Sequence, residues 1–225
     1  MKHLFGGALL GASMALLSVS AVQAGTVDVV FSFEGLAGNI VPNLYFVDAS
    51  GLTLSVTPHT FEDTALGENA VLTASSPDVA IGINNNGIGV CEPNSQGTNC
   101  IGSDMLDGGS AAGLDNELLL FTFDRLVSSI SVIWSNNDQN DVISLMEGGT
   151  LSLTNLFNAI APPDRTQGVP ISGPLSIFGL GVQGDSDEVR VAGLLVSYAV
   201  PLPAAGWLMI AGIGGIVALR RRKRA

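Results

Sequence analysis

Hydrophobic and polar residues alternate along much of the chain between residues 25 and 199. Segments 27–33 and 52–57 place apolar side chains at alternate positions, the pattern of strands with one buried face. Clusters of Gly, Asn, Asp and Pro separate these segments, and no long helical stripe appears. About ten strands in roughly 175 residues favour an all-β body, a single antiparallel β-sandwich with a jelly-roll-like arrangement. Further strands are predicted at 70–74, 79–83, 117–123, 129–135, 141–146, 151–156, 175–180 and 189–198.

The first 24 residues follow a different pattern. Lys2 precedes an apolar run from residue 4 to residue 19, and small residues occupy the positions before Gly25. This order predicts a secretory signal peptide at 1–24, which signal peptidase cuts between Ala24 and Gly25. The alternative is an uncleaved N-terminal anchor.

The C-terminal end contains a second apolar run. Residues 202–219 carry no charge and would span about 27 Å as a helix. This length predicts a transmembrane helix. A basic tail follows and favours a cytoplasmic C-terminus, so that the body lies on the other side of the membrane, as the signal peptide also predicts. The tail consists of Arg220, Arg221, Arg222, Lys223 and Arg224.

A short proline-containing motif precedes this helix, and it consists of Val200, Pro201, Leu202, Pro203 and Ala204. Together with the apolar helix and the Arg-rich tail, it resembles the VPLPA variant of the PEP-CTERM sorting signals. The resemblance covers residues 200–225 and implies sorting only. In that family an exosortase in the inner membrane of Gram-negative bacteria removes the helix and tail, and the protein passes to the surface or an exopolysaccharide matrix. A single-pass anchor that no protease cuts is the alternative.

The body is strongly acidic. All 20 acidic residues lie in the body at 25–199, where only Arg125, Arg165 and Arg190 are basic, so the formal net charge of this region is −17. Nucleic-acid phosphates are bound through clustered Lys and Arg, and their scarcity here excludes nucleic acid as a partner. Divalent cations are more compatible with this negative charge than nucleic acids are.

The only two cysteines are Cys91 and Cys100, on either side of a turn-rich segment. In an oxidising compartment they should form a disulfide, whose loop closure is worth about 2.7 kcal/mol. Without a nearby His or a C-x-x-C pair, the spacing does not favour a metal site.

Residues suited to catalysis are scarce. His59, expected near a turn, is the only histidine left after removal of the signal peptide, and the chain has no G-x-S-x-G or phosphate-loop motif. We therefore expect no enzymatic activity. A polysaccharide hydrolase that uses carboxylates is the alternative. Tyr45, Trp134 and Tyr198 are candidate platforms for sugar, although the pattern around Trp134 favours a core position.

Three acidic loops are candidate calcium sites, because calcium prefers carboxylate and carbonyl oxygens. None has the spacing of an EF-hand, and solvated turns are the competing interpretation. The candidate ligands are Asp104 and Asp107, Asp138 and Asp141, and Asp185 and Asp187.

These observations together predict an exported protein with a non-catalytic body. We expect an inner-membrane precursor that an exosortase-type protease transfers to the cell surface or extracellular matrix, where the body has a structural or binding role. Exopolysaccharide is a candidate partner. Besides the hydrolase, a calcium-dependent adhesin or carbohydrate-binding module is an alternative.

Overall fold

The alternating segments form β-strands, as the sequence predicts, and fourteen strands occur among the residues that the structure describes. The computed structural model describes residues 25–36, 40–61, 72–75, 78–101, 106–107, 116–135, 143–147, 152–155, 171–182, 188–200 and 212–213. The strands are β1 Gly25–Ser32, β2 Ile40–Val41, β3 Leu44–Val47, β4 Thr53–Phe61, β5 Leu72–Ser75, β6 Ala80–Asn84, β7 Gly87–Pro93, β8 Cys100–Ile101, β9 Leu106–Asp107, β10 Asn116–Ser135, β11 Ile143–Glu147, β12 Ser152–Asn155, β13 Ile171–Val182 and β14 Glu188–Val200.

These strands join into one nearly closed sheet. Its main path runs β12-β11-β13-β10-β14-β7-β6-β2. Strand β4 also pairs with β10 and carries β3 and β5, while β1 and β9 pair with β14 and β8 pairs with β7. The pairings of β10 with β4, β13 and β14 are antiparallel. The all-β prediction is therefore confirmed for the described part of the body.

The centre of the sheet is β10, which has 20 residues. Its first half pairs with β4 and its second half with β14, while β13 pairs with both halves. The pairing with β13 shifts register between Thr122 and Val127, where the exposed residues 124–126 interrupt the apolar pattern. Segments 117–123 and 129–135, predicted as two strands, are thus one strand with an irregular middle.

Aromatic residues form a connected cluster within the core, beside the inward face of β10. Phe121 lies directly opposite Phe178 in the register, and their rings stack with centroids 4.6 Å apart. Phe33 of the segment after β1 packs against both Phe121 and Phe46 of β3. Because burial of one such side chain contributes roughly 1.5–3 kcal/mol, this cluster is a major source of stability.

The hairpin of β6 and β7 was not predicted from the sequence. Asn85 and Asn86 connect these strands, and the Asn84 carboxamide oxygen accepts a 2.8 Å hydrogen bond from the Asn86 N–H. Gly87 has φ of 142°, and a Cβ there would lie 2.3 Å from the carbonyl oxygen of Val191. The glycines in β7 interrupt the apolar alternation, so this strand was not recognised. The Asn-Gly sequence before it is nevertheless a hairpin signal.

Most residues at the two ends of the chain are not among those that the structure describes. Residues 1–24 and, apart from 212–213, the predicted helix at 202–219 are outside the described residues. Among the residues that are described, no helix has the length and apolar character needed to cross a membrane. Residues Thr26–Val200 form one compact unit.

Candidate functional site

The three aromatic residues considered as sugar platforms differ sharply in exposure. Trp134 is completely buried and Tyr198 is 1% exposed, so both are core residues. The core position of Trp134 agrees with the strand pattern around it. Tyr45, in contrast, is 66% exposed. It is the one aromatic of the three that a ligand can reach.

Tyr45 belongs to a surface formed by three neighbouring strands. In the register, Tyr45 lies opposite Ser55, and Ser55 lies opposite Thr122. Val47 lies opposite Thr53 in the next row. The Thr53 N–H donates a 3.1 Å hydrogen bond to Asp124 Oδ1, which completes this second row. We call this surface the β3–β4–β10 patch, and it consists of Tyr45, Val47, Thr53, Ser55, Thr122 and Asp124.

The patch faces outward because successive residues of a strand point to opposite sides of the sheet. Leu54 and Val56 of β4 are completely buried, whereas Thr53 and Ser55 between them are partly exposed. In β10, Phe121 and Phe123 point into the core on either side of Thr122. One set of strands therefore supports both an apolar core and a hydroxyl-bearing surface.

A second apolar cluster limits the patch further along the same face. It consists of the buried Phe61 and Leu118, with Leu72 and Leu120 packed against them. Phe61 lies so close to Gly181 that a Cβ there would be 2.7 Å from the ring. This cluster bounds the outward face at its far end, and Thr57 and His59 lie between it and the β3–β4–β10 patch.

Asp124 and Arg125 hold this end of the sheet to the loop between β3 and β4. Arg125 donates two hydrogen bonds to Asp124, from Nε to Oδ1 at 3.1 Å and from one terminal nitrogen to Oδ2 at 2.9 Å. The same nitrogen donates to the Gly51 carbonyl oxygen at 2.8 Å. The guanidinium also lies 5.6 Å from the centre of the Tyr198 ring, within range of a cation–π interaction.

Asp48 orders the loop from within. Its Oδ1 accepts a 2.7 Å hydrogen bond from the Leu52 N–H, and its carboxylate also accepts one from the Ser50 hydroxyl. Ser50 in turn hydrogen-bonds the Tyr198 hydroxyl. The loop is therefore connected to the end of β14, two residues before the predicted sorting motif.

These contacts keep both carboxylates ionised. Hydrogen bonds from the Arg125 side chain are the main reason that the pKa of Asp124 is lowered. For Asp48, partial burial raises the pKa, but hydrogen bonds from Ser50 and Leu52 and the charge of Arg125 outweigh it, so that the net shift is downward. At neutral pH this end of the patch offers ionised acceptors.

The predicted disulfide is confirmed: Cys91 and Cys100 are bonded, with their Cα atoms 5.5 Å apart. Within the enclosed loop, Asn94 Oδ1 accepts hydrogen bonds from the backbone N–H groups of Gln96 and Thr98 at 3.2 and 2.9 Å. Beside the loop is an open apolar pocket of about 160 Å³, below the usual size of ligand pockets. Its lining residues are Ile40, Val41, Pro42, Val79, Ala80, Pro93 and Gly97.

His59 lies within β4, partly buried, and not near a turn as the sequence suggested. Its Nε2 is 3.0 Å from the Thr57 hydroxyl on the same face of the strand. The predicted strand ended too early because Pro58 resembles a turn residue, yet Pro58 is accommodated opposite Leu119 of β10.

Most of the predicted calcium ligands lie outside the described residues. Asp107 is in β9, and nothing is described of its side chain, while Asp104, Asp138, Asp141, Asp185 and Asp187 are outside the description altogether. Within the described ranges, no group of three or more His, Cys, Asp or Glu side chains could hold a metal ion. The calcium sites remain predictions.

The processing signals are described only where they meet the body. Gly25 begins β1 and Val200 ends β14. Ala24, residues 201–204 and the basic tail at 220–224 lie outside the described residues.

Tyr45 is the only residue of the patch that the sequence singled out. The available signal for the others was the alternation of Thr53 and Ser55 with leucine and valine. It is repeated in β10, where Thr122 lies between two phenylalanines and Asp124 follows the second. No known family model, curated protein sequence or solved structure matches this chain.

Proposed function

We propose that this chain is an exported protein, delivered by exosortase-type sorting to the cell surface or an exopolysaccharide matrix. Its body acts there by binding or as structural material, not by catalysis. The precursor is held in the inner membrane by the C-terminal helix until a protease acts near residues 200–204.

The observation that carries this proposal is the bond between Cys91 and Cys100. Structural disulfides persist in oxidising compartments and are rare in a reducing cytosol. The bond is independent of the N-terminal and C-terminal signals, yet it supports the same location for the body.

The end of β14 supports a processing point after the body. The Ser128 hydroxyl donates a 2.9 Å hydrogen bond to the Ser197 carbonyl oxygen, and the Ser197 hydroxyl donates a 2.6 Å bond to Asp28. Beyond Val200, Pro201 has no N–H and cannot continue the hydrogen-bond ladder. A protease that needs an extended substrate would therefore find its first accessible bonds in the motif.

The form of the sheet supports the sandwich architecture that the sequence predicts. Because β10 and β13 pair with each other over two separated segments, they can contribute to two opposed layers around one core. We propose a β-sandwich of the jelly-roll type for the body.

The charges at the β3–β4–β10 patch and its adjoining loop favour binding over hydrolysis. A glycosidase needs one carboxyl that is protonated at working pH, so that it can donate a proton to the leaving group. Asp48 and Asp124 both have lowered pKa values, the opposite of that requirement. Ionised carboxylates remain good acceptors for ligand hydroxyls.

The proposal is tested by intact mass and C-terminal peptide mapping of the protein recovered from its native envelope and culture medium. We expect loss of residues 1–24, a C-terminus within 200–204, and a mass two hydrogens lower than that of the reduced chain. An intact Arg-rich tail in the membrane fraction would show an ordinary anchored protein instead.

A matched pair of variants separates the motif from prolines in general. Replacement of Pro201 and Pro203 by Ala should leave the uncut precursor in the membrane. Replacement of Pro42, an exposed residue between β2 and β3, should leave processing unchanged. Equal processing of both variants would exclude recognition of the motif.

A further inference from the structure

We infer that the β3–β4–β10 patch binds a neutral polysaccharide chain, with Tyr45 as the stacking platform. This inference rests on the proposed matrix location, which it deepens by naming a binding surface and a class of ligand. The residues concerned lie outside the processing signals, so the two proposals can fail separately.

The first argument is the exposure of the patch. Tyr45 and Val47 are 66% and 59% exposed, and they lie two residues apart on the same side of β3. Strand β3 pairs only with β4 among the described strands. The exposed ring and the neighbouring valine together offer an apolar face that a ligand can cover.

The second argument is the chemistry beside the ring. Ser55 and Thr122 continue the row from Tyr45 with hydroxyl groups, and the row spans three strands, about 10 Å at the usual strand spacing. Asp124 adds an ionised acceptor at the end of the second row. A sugar chain presents apolar C–H faces and hydroxyl edges, so it can pack on Tyr45 and Val47 and hydrogen-bond the neighbouring polar groups.

The third argument is charge, which distinguishes neutral from acidic chains. Among the described residues, the cation nearest the patch is Arg125, whose nitrogens already donate to Asp124 and the Gly51 carbonyl. The described part of the patch therefore has no free cation to pair with a uronate or sulfate group. The net charge of −17 over residues 25–199 also repels polyanions. A neutral chain avoids this repulsion.

The support beneath the patch is rigid, which a stacking site needs. Tyr45 flanks Phe46, which packs on Phe31 and Phe33, and Thr122 flanks the stacked Phe121. Asp48, Ser50 and Arg125 fix the adjoining loop. Little conformational entropy is therefore lost when a ligand binds.

The test is affinity electrophoresis of the full-length protein, in a detergent without a sugar headgroup, through gels that contain a soluble polysaccharide. The neutral probes are β-glucan, galactomannan, arabinoxylan and dextran, and the acidic probe is polygalacturonate. We expect at least one neutral polymer to slow migration and polygalacturonate to have no effect.

Variants assign the binding to the patch. Tyr45→Thr keeps a residue of high strand propensity but removes the ring, and it should weaken binding about tenfold, whereas Tyr45→Phe should retain most of it. The matched control is Val30→Thr, at an exposed position of β1 where the side chain is 62% accessible. This control should bind like the parent protein.

Four results would overturn the inference: no neutral polymer slows the protein, polygalacturonate slows it more, Tyr45→Thr binds normally, or Tyr45→Thr changes the oligomeric mass measured by light scattering. The last result would assign the patch to contact between copies. If Tyr45→Thr has a different melting temperature from the parent protein, Thr122→Val is measured instead. Unchanged affinity of Thr122→Val would then exclude the patch as the binding site. Peptide mapping of the same preparation reports separately on sorting.

Discussion

The two faces of β4 and β10 differ although they belong to the same strands. On the inward face, Leu54, Val56 and Phe121 are completely buried. On the outward face, Ser55 and Thr122 lie beside the exposed Tyr45. Alternation along a strand therefore places one set of residues in the core and leaves the adjacent set at the surface.

The difference also determines how each face should tolerate substitution. Inward residues are enclosed by close-packed neighbours, and loss of atoms there leaves a cavity. Outward hydroxyls are partly solvated, so their removal should affect a ligand more than the fold. The comparison can be tested by paired substitutions at adjacent positions.

The largest effect is expected for Phe121→Ala. Loss of the ring that stacks on Phe178 should lower the free energy of unfolding by about 3–5 kcal/mol. Urea denaturation, followed by the fluorescence of buried Trp134 in a Trp207→Phe background, measures this change. The adjacent Thr122→Ala should cost less than about 1 kcal/mol, and equal costs would show that the two faces do not differ as described.

Loss of the disulfide should have the next largest effect. Double replacement of Cys91 and Cys100 by Ser should lower the free energy of unfolding by about 2.7 kcal/mol, because the open loop gains entropy in the unfolded chain. Reductant should destabilise the parent protein and leave the double variant unchanged. If reductant also destabilises the variant, the effect does not come from this bond.

Two glycines extend the comparison from side chains to backbone. Gly87→Ala should cost about 1–3 kcal/mol from its strained backbone alone, and the contact with Val191 should add to that cost. Gly97, with φ of 65° and no heavy atom within 4 Å of the point that a Cβ would occupy, should tolerate Ala better. Thermal denaturation of both variants tests the order, and a more stable Gly87 variant would contradict the close approach.

The smallest effect concerns pH at the edge of the outward face. The Asp124 pKa is lower in the folded protein than its ordinary value, mainly through Arg125. Its contribution to stability is therefore complete above the ordinary aspartate pKa of about 3.9, and it is lost as the pH falls through the folded value.

Asp124→Asn should remove this part of the loss of stability that acid causes. Melting temperature measured from neutral pH to strongly acidic pH should fall less steeply in the variant than in the parent protein. The change should be small, since exposed ion pairs contribute little. Asp28→Asn, at an exposed position of β1, is the control. Identical slopes for Asp124→Asn and the parent would contradict the role of Arg125.

Prediction from sequence succeeded where the signal was local. The strand around residues 189–198 was found because it is a long segment rich in apolar, strand-forming residues, and the disulfide because only two cysteines exist. The short β3 was missed, since four residues carry too little periodicity. With β3 unrecognised, the partnership of Tyr45 with Ser55 and Thr122 was not predictable.

The sequence by itself determined the all-β class, the pairing of Cys91 with Cys100 and the core position of Trp134, because each depends on residue type and spacing within a short segment. Only the tertiary structure decided that 116–135 is one continuous strand, that Tyr198 is buried while Tyr45 is exposed, and that Arg125 joins a distant loop to Asp124. These features depend on which strands become neighbours, and the free energy of that pairing comes from contacts between residues far apart in the chain.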